Sequence, residues 1–339
     1  MMTAVTAKMM LNQTFALSQL GLGCAQMGGL YRPSSNEEAT HTLQTAWDMG
    51  LRYFDTAPFY GYTLSEHRVG AVLREKPRAE FILSSKVGRL MKADTSVKPG
   101  EDGWAEPLPF RPHYDYTYSG IMRSFEDSLQ RLGLTHIDIL FVHDIGAYTH
   151  QEMHAHYWAQ LTQGGGFRAL EELRTQGQTR AIGLGVNEWQ IIVEAMQEVT
   201  LDCSLLAGRY TLLEQESLEP LLSRCAASGH SIIAGGPFNS GILAGSGKFN
   251  YADAPAEVVA KVARLTAVCD AFEVPVQAAA LQFPLAHPAV VSCLAGARNA
   301  TQLTQNLAWM NTPLPTAFWQ ALKDKELLHP DAPTPGGAA

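Results

Sequence analysis

Short apolar runs alternate with longer amphipathic stretches along most of this chain. The short runs predict buried β-strands and the longer stretches predict helices, because the two structures differ in length and in hydrophobic period. The predicted strands are Leu20–Cys24, Leu51–Phe54, Phe81–Ser84, Ile137–Val142, Ala181–Leu184, Cys203–Leu206, Ser231–Ala234 and Val290–Leu294. Such alternation is typical of parallel strands covered by helices, so we expect an α/β fold that closes into a (β/α)₈ TIM barrel.

Two long segments interrupt this regular spacing. Gly88–Tyr116 follows the third predicted strand, and Asp144–Gly166 follows the fourth. Long ordered loops in a compact domain are usually functional, and in a barrel the loops that follow the strands build the active site. Amphipathic stretches late in the chain, including Ala300–Met310, predict extra C-terminal helices.

The domain organisation follows from length and composition. The chain has 339 residues, which suits one barrel with long loops, although two ordinary domains would also fit by length alone. No break in composition marks a boundary, so we expect a single domain over residues 19–328. Residues 1–18 lack the apolar core and cleavage site of a signal peptide and are predicted to be a disordered lead. The Pro-, Gly- and Ala-rich residues 329–339 predict a flexible tail.

Charge and cysteine content exclude several classes of partner. The net charge is −8, charged residues make up 17% of the chain, and Lys and Arg form no run. Nucleic acid and membranes are therefore not expected as partners, and no apolar run is long enough to span a bilayer.

The five cysteines include no CxxC pair, so we expect buried thiols in a cytoplasmic protein. His150 and His154 have helical spacing, but Gln151 stands where HExxH needs Glu, so no metal is predicted.

Polar side chains follow four consecutive predicted strands. Asp55, Lys86, His143 and Asn187 come directly after, or close to, the ends of the second to fifth strands. The carboxyl ends of parallel strands meet at one mouth of a barrel, so these side chains are expected to converge there. Burying each of these polar groups near the core costs free energy. Their shared position at the ends of strands therefore favours a functional site.

Tyr60 adds a proton-transfer group to this set. It lies in the loop DTAPFYG that follows Asp55. A phenol has an ordinary pKa near 10, and a neighbouring Lys86 ammonium would lower that pKa. Asp55 would keep the ammonium charged and in place, and His143 could orient a substrate oxygen and share the proton. These four residues form a coherent acid–base set that needs no nucleophile if a cofactor supplies the hydride chemistry.

Two late segments have the composition of a phosphate site. GGPFNSGIL follows the seventh predicted strand and is rich in small residues, which lets backbone N–H groups approach a pyrophosphate. GARNATQLTQN follows the eighth strand and opens a helix, whose N-terminus attracts phosphate. By contrast, GLGCAQMGG around Gly21 is not a Rossmann motif, because Met27 stands where glycine is required and Asp55 lies too far along the chain.

The chain resembles the aldo-keto reductases from about Leu20 to Met310, on the motifs DTAPFYG, SEHRVGAVL, SSKVGR, DILFVHD, GGPFNSGIL and GARNATQLTQN. The resemblance implies that the four acid–base residues, Asp55, Tyr60, Lys86 and His143, are the family's catalytic tetrad. It also implies an NAD or NADP cofactor whose nicotinamide carboxamide is held by Asn187. The other implied cofactor contacts are Pro237, Phe238, Ser240, Gly241, Gly296, Arg298, Gln302 and Asn306.

Within that family, YDYTYSGIMRSFEDSLQRLGLTHIDILFVHDIG is most similar to aldose 1-dehydrogenases acting on L-fucose, D-threo-aldoses or L-galactose. This similarity implies oxidation of an aldose at C1 to the lactone, with Tyr60 as general base, or as general acid in reverse. Pyridoxal 4-dehydrogenase activity and general aldehyde reduction are alternatives, and a cofactor-sensing binding module is a distant one. We expect Trp104, Tyr114 and Trp158 to line a pocket for a small sugar or aldehyde, in a monomer or small homo-oligomer.

Three positions depart from the family pattern. Gly235 stands where many relatives carry an aromatic residue that stacks on the nicotinamide, and Ala207 stands where many carry Gln. Gln302 occupies a position where many NADP-dependent relatives carry Arg, which leaves Arg298 as the one formal charge of that segment. One charged hydrogen bond supports NADP only modestly, so we expect NAD to be used well and lean towards it.

Overall fold

The eight predicted strands close into a parallel barrel in the computed structural model, which describes residues 8–11 and 15–336. Each strand pairs with its neighbours in the chain, and the last strand pairs with the first, so the sheet has no free edge. The barrel strands are β1 (Leu20–Gly23), β2 (Tyr53–Asp55), β3 (Ile82–Val87), β4 (Ile139–His143), β5 (Ala181–Val186), β6 (Cys203–Ala207), β7 (Ser231–Gly235) and β8 (Val290–Gly296). The predicted TIM barrel is confirmed.

Helices cover the barrel between successive strands and after the last strand. They are α1 (Asn36–Asp48), α2 (Leu64–Leu73), α3 (Tyr118–Leu132), α4 (Ala147–His150), α5 (His154–Thr162), α6 (Gly166–Thr175), α7 (Gln190–Glu198), α8 (Leu221–Ser228), α9 (Ala256–Ala271), α10 (Val276–Gln282), α11 (Ala300–Met310) and α12 (Thr316–Asp324). Short 3₁₀ segments lie at Cys24–Gly28, Arg78–Glu80, Glu101–Gly103, Gln151–Met153, Glu216–Leu218, Asn239–Ala244 and Pro284–Ala286. None of the described helices has both the length and the apolar character that crossing a bilayer requires.

The connections that follow β3, β4 and β7 contain structure that the sequence pattern did not indicate. The long loop after β3 forms an antiparallel hairpin of Arg89–Ala93 with Phe110–Tyr114. The long loop after β4 contains α4 and α5, and a second small hairpin of Lys248–Phe249 with Ala252–Asp253 follows β7. All three connections leave the carboxyl ends of strands, so they surround the mouth where barrel enzymes place their sites.

Side chains alternate between the inside of the barrel and the layer under the helices. In β4, Ile139 and Phe141 belong to the apolar cluster inside the barrel. Leu140 and Val142 instead pack in the cluster beneath the helices. Because successive strand residues point to opposite faces, His143 at the end of β4 turns inward at the mouth. The same alternation places the polar ends of β2 and β3 in the barrel interior.

The predicted disordered lead is wrong for the part of it that the structure describes. Lys8–Leu11 and Phe15–Ser18 pair as an antiparallel hairpin. Phe15 and Leu17 are buried in the cluster inside the barrel, and the Arg180 guanidinium, just before β5, lies 4.2 Å from the Phe15 ring centroid. The hairpin therefore covers the amino ends of the strands. The rest of the predicted lead, residues 1–7 and 12–14, lies outside the described residues.

The start of the predicted flexible tail is also packed. Ala332 is buried, and the His329 main-chain N–H donates to Gln215 Oε1 at 2.9 Å. Lys323 Nζ donates to the Pro330 carbonyl oxygen at 2.7 Å. These contacts hold the segment against the barrel, which its Pro- and Gly-rich composition did not indicate, and residues 337–339 lie outside the described residues. The cysteines are buried as free thiols, as predicted: Cys24, Cys203, Cys225, Cys269 and Cys293.

Candidate active site

Asp55 and Lys86 form a buried ion pair inside the mouth of the barrel. Lys86 Nζ lies 2.8 Å from Asp55 Oδ2 and also donates to the Thr56 carbonyl oxygen at 3.0 Å. Ser84 Oγ donates to Asp55 Oδ1 at 2.8 Å. The side chains of Lys86 and Asp55 are only 2% and 4% exposed. Burial raises the pKa of the Asp55 carboxyl above its ordinary value, and the Lys86 ammonium opposes that shift.

The Tyr60 ring lies directly beside this pair, with 4.6 Å between its centroid and Lys86 Nζ. Tyr60 reaches this place because the turn after β2 packs backbone against backbone on the segment after β1. A Cβ atom on Gly28 would lie 2.6 Å from the Tyr60 carbonyl carbon, so this contact requires glycine. The His143 ring stands edge-on to Tyr60, with centroids 6.1 Å apart. The structure therefore brings the four predicted tetrad residues together.

The pKa of the Tyr60 phenol is shifted in the opposite direction from the expectation based on sequence. Burial raises this pKa well above its ordinary value, and the carboxylates of Asp55 and Asp144 raise it further. The Lys86 ammonium is paired with Asp55 at hydrogen-bond distance, so its positive charge does not offset these effects on the phenol. The expected net lowering of the Tyr60 pKa is therefore wrong, and the phenol is protonated at neutral pH.

His143 is a neutral imidazole in this environment. Burial lowers its pKa well below the ordinary value, and the positive charges of Arg89 and Lys86 lower it further. His143 Nδ1 is buried and has no hydrogen-bond partner among the described residues. A neutral imidazole can donate one hydrogen bond and accept one, but it does not hold a second proton against the surrounding cations.

Two charged residues at the site were missed by the sequence analysis. Asp144 Oδ2 lies 2.5 Å from Arg89 Nη2 and 3.4 Å from His143 Nε2. Arg89 is buried, and its guanidinium lies 4.3 Å from the centroid of the Phe59 ring. Both charged residues occur in motifs that end predicted strands, SSKVGR and DILFVHD, which is the signal that could have found them. Their burial, however, depends on pairing between two different loops.

A cleft of about 430 Å³ opens at the carboxyl ends of the strands, with Asp55 and Tyr60 on its wall. All the predicted cofactor residues that follow β7 and β8 line it: Pro237, Phe238, Ser240, Gly241, Gly296, Arg298, Gln302 and Asn306. Asn187 stands behind the wall, where its Oδ1 accepts a hydrogen bond at 3.2 Å from the hydroxyl of Tyr251, a lining residue. Gln26 and Tyr31 also line the cleft and were not predicted, because the loop after β1 carries no recognisable motif.

The lining of this cleft fits a nicotinamide dinucleotide. Helix α11 begins beside Arg298 and Gln302, so a helix N-terminus and a guanidinium border the same space. Gly235 and Gly236 leave the end of β7 without side chains. A Cβ atom on Gly235 would lie 2.9 Å from Leu205 Cδ2, so the aromatic residue that many relatives carry there would not fit without rearrangement.

Two arginines, rather than the one counted from the sequence, lie close to the start of α11. A smaller cavity of about 210 Å³ is lined by Arg298, Arg32 and Glu38, among others. Burial lowers the pKa of Arg298, and repulsion by Arg32 lowers it further. The sequence analysis counted Arg298 alone, because Arg32 comes from the distant segment after β1. Glu38 offsets part of the added positive charge.

The three predicted pocket residues occupy different places. Trp104 is 3% exposed and its ring centroid lies 5.8 Å from that of Tyr60, but it is not among the residues that line the cleft. Tyr114 does not line the cleft either, and its ring centroid lies 5.5 Å from the Arg89 guanidinium. Trp158 is not among the residues that line the cleft, and its ring contacts are with His154 and Phe167.

A parallel barrel with this charged pair, phenol and imidazole at its mouth, beside a dinucleotide cleft, defines an oxidoreductase of the TIM-barrel class. The chain belongs to the aldo/keto reductase family, whose profile matches residues 19–326. The family assignment made from the sequence motifs is thereby confirmed.

Two relatives match nearly the whole chain. The pyridoxal 4-dehydrogenase of Microbacterium luteolum is 50% identical over 325 residues, which cover 92% of this chain and 95% of that protein. The D-threo-aldose 1-dehydrogenase of a Pseudomonas species is 39% identical, with coverage of 94% and 96%. Among solved structures, the holo form of an aldo-keto reductase from Bacillus halodurans has a TM-score of 0.72 at 24% identity, covering 95% of this chain and 96% of that one. This last match shows the shared fold.

The buried ion pair generates a stability prediction. Asp55→Asn removes one charge and leaves the Lys86 ammonium uncompensated in the barrel, which typically costs about 3–5 kcal/mol. We expect the free energy of unfolding, measured in urea at neutral pH, to fall by that order. The matched control is Asp253→Asn, which breaks the exposed Lys248–Asp253 pair and should leave the unfolding midpoint nearly unchanged. Equal small effects of both variants would contradict the importance of the buried pair.

Proposed function

We propose that this protein oxidises a lactol to a lactone and uses NAD or NADP as the hydride acceptor. A lactol is a cyclic hemiacetal, so its reacting carbon carries both a hydroxyl group and a hydrogen atom. The observation that carries this proposal is the position of Tyr60, beside the buried Asp55–Lys86 pair and on the wall of the cleft that fits a dinucleotide. The oxidised nicotinamide supplies the hydride acceptor when bound.

The protein's own residues handle the proton. Tyr60 Oη takes the proton of the lactol hydroxyl while the carbon loses hydride, and the new C=O bond completes the lactone. In the reverse direction, the protonated phenol donates to the carbonyl oxygen. Neutral His143 orients that oxygen, and the Asp55–Lys86 pair holds the ammonium beside the phenol.

Pyridoxal is the first candidate substrate. Its aldehyde can close onto the neighbouring hydroxymethyl group, which gives a lactol fused to an aromatic ring. The chain is 50% identical to a pyridoxal 4-dehydrogenase and 39% identical to a D-threo-aldose 1-dehydrogenase. Aldoses, the substrates expected from the sequence, also close as lactols. They are the second candidate because of the similarity to the D-threo-aldose 1-dehydrogenase.

A substrate panel tests this proposal. We would measure kcat/KM for pyridoxal, L-fucose, D-arabinose, L-galactose and simple aldehydes with each cofactor, and identify the products. Lactone formation with pyridoxal at the highest kcat/KM is expected, and a higher value with an aldose would select the second candidate. Turnover restricted to aldehydes that cannot cyclise would contradict lactol oxidation. Tight cofactor binding without multiple turnover would instead favour the binding module.

Tyr60→Phe removes the acid–base group while keeping the ring. We expect kcat for oxidation to fall by roughly 10²–10⁴. The control is Tyr210→Phe, which removes another buried hydroxyl that has no hydrogen-bond partner among the described residues. It should retain kcat within a factor of about three. A Tyr60→Phe enzyme with near-normal turnover would overturn the assignment.

The raised pKa of Tyr60 predicts the pH dependence of both directions. Oxidation needs the phenolate, so its kcat/KM should rise with pH from neutrality into the alkaline range. Reduction needs the phenol and should stay level over that range. Lys86→Met removes a positive charge beside the ring, so the rise of the oxidation rate should move to higher pH. An unmoved pH profile in a partly active Lys86→Met variant would show that Lys86 does not act on Tyr60.

Cofactor choice depends on the charges near α11. With Arg298 and Arg32 opposed by Glu38, we expect NAD to be used at least as well as NADP. Arg298→Ala should lower kcat/KM with NADP by roughly 10- to 100-fold, since a charged hydrogen bond contributes about 1.5–3 kcal/mol. With NAD the loss should stay below about threefold. A wild-type preference for NADP above about a hundredfold, abolished by Arg298→Ala, would show that our inclination towards NAD is wrong.

A further inference from the structure

Asp144 holds an unusual position for a charged residue. It follows His143 directly and has a left-handed backbone, with φ of 43°. Its main-chain N–H donates to the Gly185 carbonyl oxygen of β5 at 2.9 Å. This turn directs the carboxylate into the site, between the ends of β4 and β5. Non-glycine residues in this conformation are uncommon, and Asp and Asn are among those that tolerate it best.

The Arg89 guanidinium holds this carboxylate in its ionised form. Arg89 is buried, lies over the Phe59 ring and is 2.5 Å from Asp144 Oδ2. Burial raises the pKa of the Asp144 carboxyl, and the positive charges of Arg89 and Lys86 oppose that shift. An ionised carboxylate has no proton to donate, so every hydrogen bond that Asp144 makes through its side chain must be one that it accepts.

This restriction determines how the Asn187 amide is oriented. Asp144 Oδ1 lies 3.0 Å from Asn187 Nδ2, so the NH₂ end of the amide must face the carboxylate. The Asn187 Oδ1 atom then points to the other side, where it accepts from the Tyr251 hydroxyl at 3.2 Å. Tyr251 lines the cleft, which means that Asn187 presents a hydrogen-bond acceptor towards the cleft.

We propose that Asp144 is a positioning residue that fixes the polarity of the Asn187 amide for cofactor binding. An acceptor at this place can receive a hydrogen bond from the NH₂ group of a carboxamide. If the Asn187 amide were flipped, its own NH₂ group would face that NH₂ group, and no hydrogen bond would form. The Tyr251 hydroxyl donates to Asn187 Oδ1 in this structure. When the carboxamide binds, Tyr251 must therefore share this acceptor with it or move away. The proposal rests on the proposed function, because it assumes that Asn187 meets the nicotinamide.

A double-mutant cycle on cofactor affinity tests this coupling. We would titrate each variant with NADH at pH 8 and follow protein fluorescence to obtain the dissociation constant Kd. Asp144→Asn keeps the side-chain size and tolerates the left-handed backbone, but it no longer selects one amide orientation. We expect Asp144→Asn and Asn187→Ala each to raise Kd by roughly 10- to 100-fold. If Asp144 acts through Asn187, the double variant should bind no more weakly than Asn187→Ala alone.

An exchange of the two side chains tests the polarity itself. Asn187→Asp alone opposes two carboxylates, so it should bind NADH more weakly than Asn187→Ala. The combined Asp144→Asn/Asn187→Asp variant restores an N–H to carboxylate hydrogen bond and again presents an oxygen to the cleft. We expect it to recover at least about tenfold in Kd over Asn187→Asp. No recovery, or fully additive effects in the first cycle, would overturn the proposal.

A matched control lies at the other end of the same strand. Asp138 precedes β4, is buried and pairs with Arg78 at 2.6 Å. Asp138→Asn should lower stability but leave the Kd for NADH within about twofold. If Asp144→Asn fails to fold, the Kd values of Asn187→Asp and Asn187→Ala for NADH decide the question. Weaker binding by Asn187→Asp supports the proposal, and equal or tighter binding contradicts it. Failure of the wild-type protein to bind NADH or NADPH would instead count against the proposed function.

Discussion

Lys86 and Asp55 bring two opposite charges within 2.8 Å of each other in a part of the barrel that solvent scarcely reaches. Neither charge could remain there without the other, because an unpaired buried ion loses its hydration with no compensation. The pair links the ends of β2 and β3, and the Tyr60 ring lies beside it. Because Asp55 compensates the Lys86 charge, the pair does not make the phenol acidic.

The mouth of the barrel is consequently divided into two electrostatic regions. On the side of β2 to β5, burial lowers the pKa of His143 and raises the pKa of Tyr60, so the imidazole is neutral and the phenol is protonated. On the side of β7 and β8, small residues, the start of α11 and Arg298 leave an open and electropositive wall. An anionic dinucleotide suits the second region and a proton-transfer step suits the first. Asn187 lies where the two regions meet, held by Asp144 and in contact with Tyr251.

Local sequence patterns predicted the features that depend on neighbouring residues in the chain. Strand alternation places Asp55, Lys86 and His143 inward, and each is visible as a polar residue at the end of an apolar run. The barrel and the four tetrad positions followed from that pattern together with the family motifs. The cleft lining after β7 and β8 was predicted in the same way, because glycine and small residues follow both strands.

The missed features depend on residues that are distant in sequence. Arg89 and Asp144 look like ordinary loop charges until their 2.5 Å contact is known. The N-terminal hairpin has too few residues to show a strand period, and its burial comes from the barrel interior that it covers. The direction of the Tyr60 pKa was also missed, because it depends on burial and on two carboxylates rather than on Lys86 alone.

Hydride transfer from a lactol carbon to the nicotinamide is the central claim, and isotope transfer tests it most directly. Pyridoxal deuterated at the aldehyde carbon would be oxidised in ordinary water, and the reduced cofactor and the product would be analysed by mass spectrometry. We predict one deuterium in the reduced cofactor for each lactone formed, with a primary isotope effect once chemistry limits the rate. Release of the label to water, or lactone formed without labelled cofactor, would contradict the account.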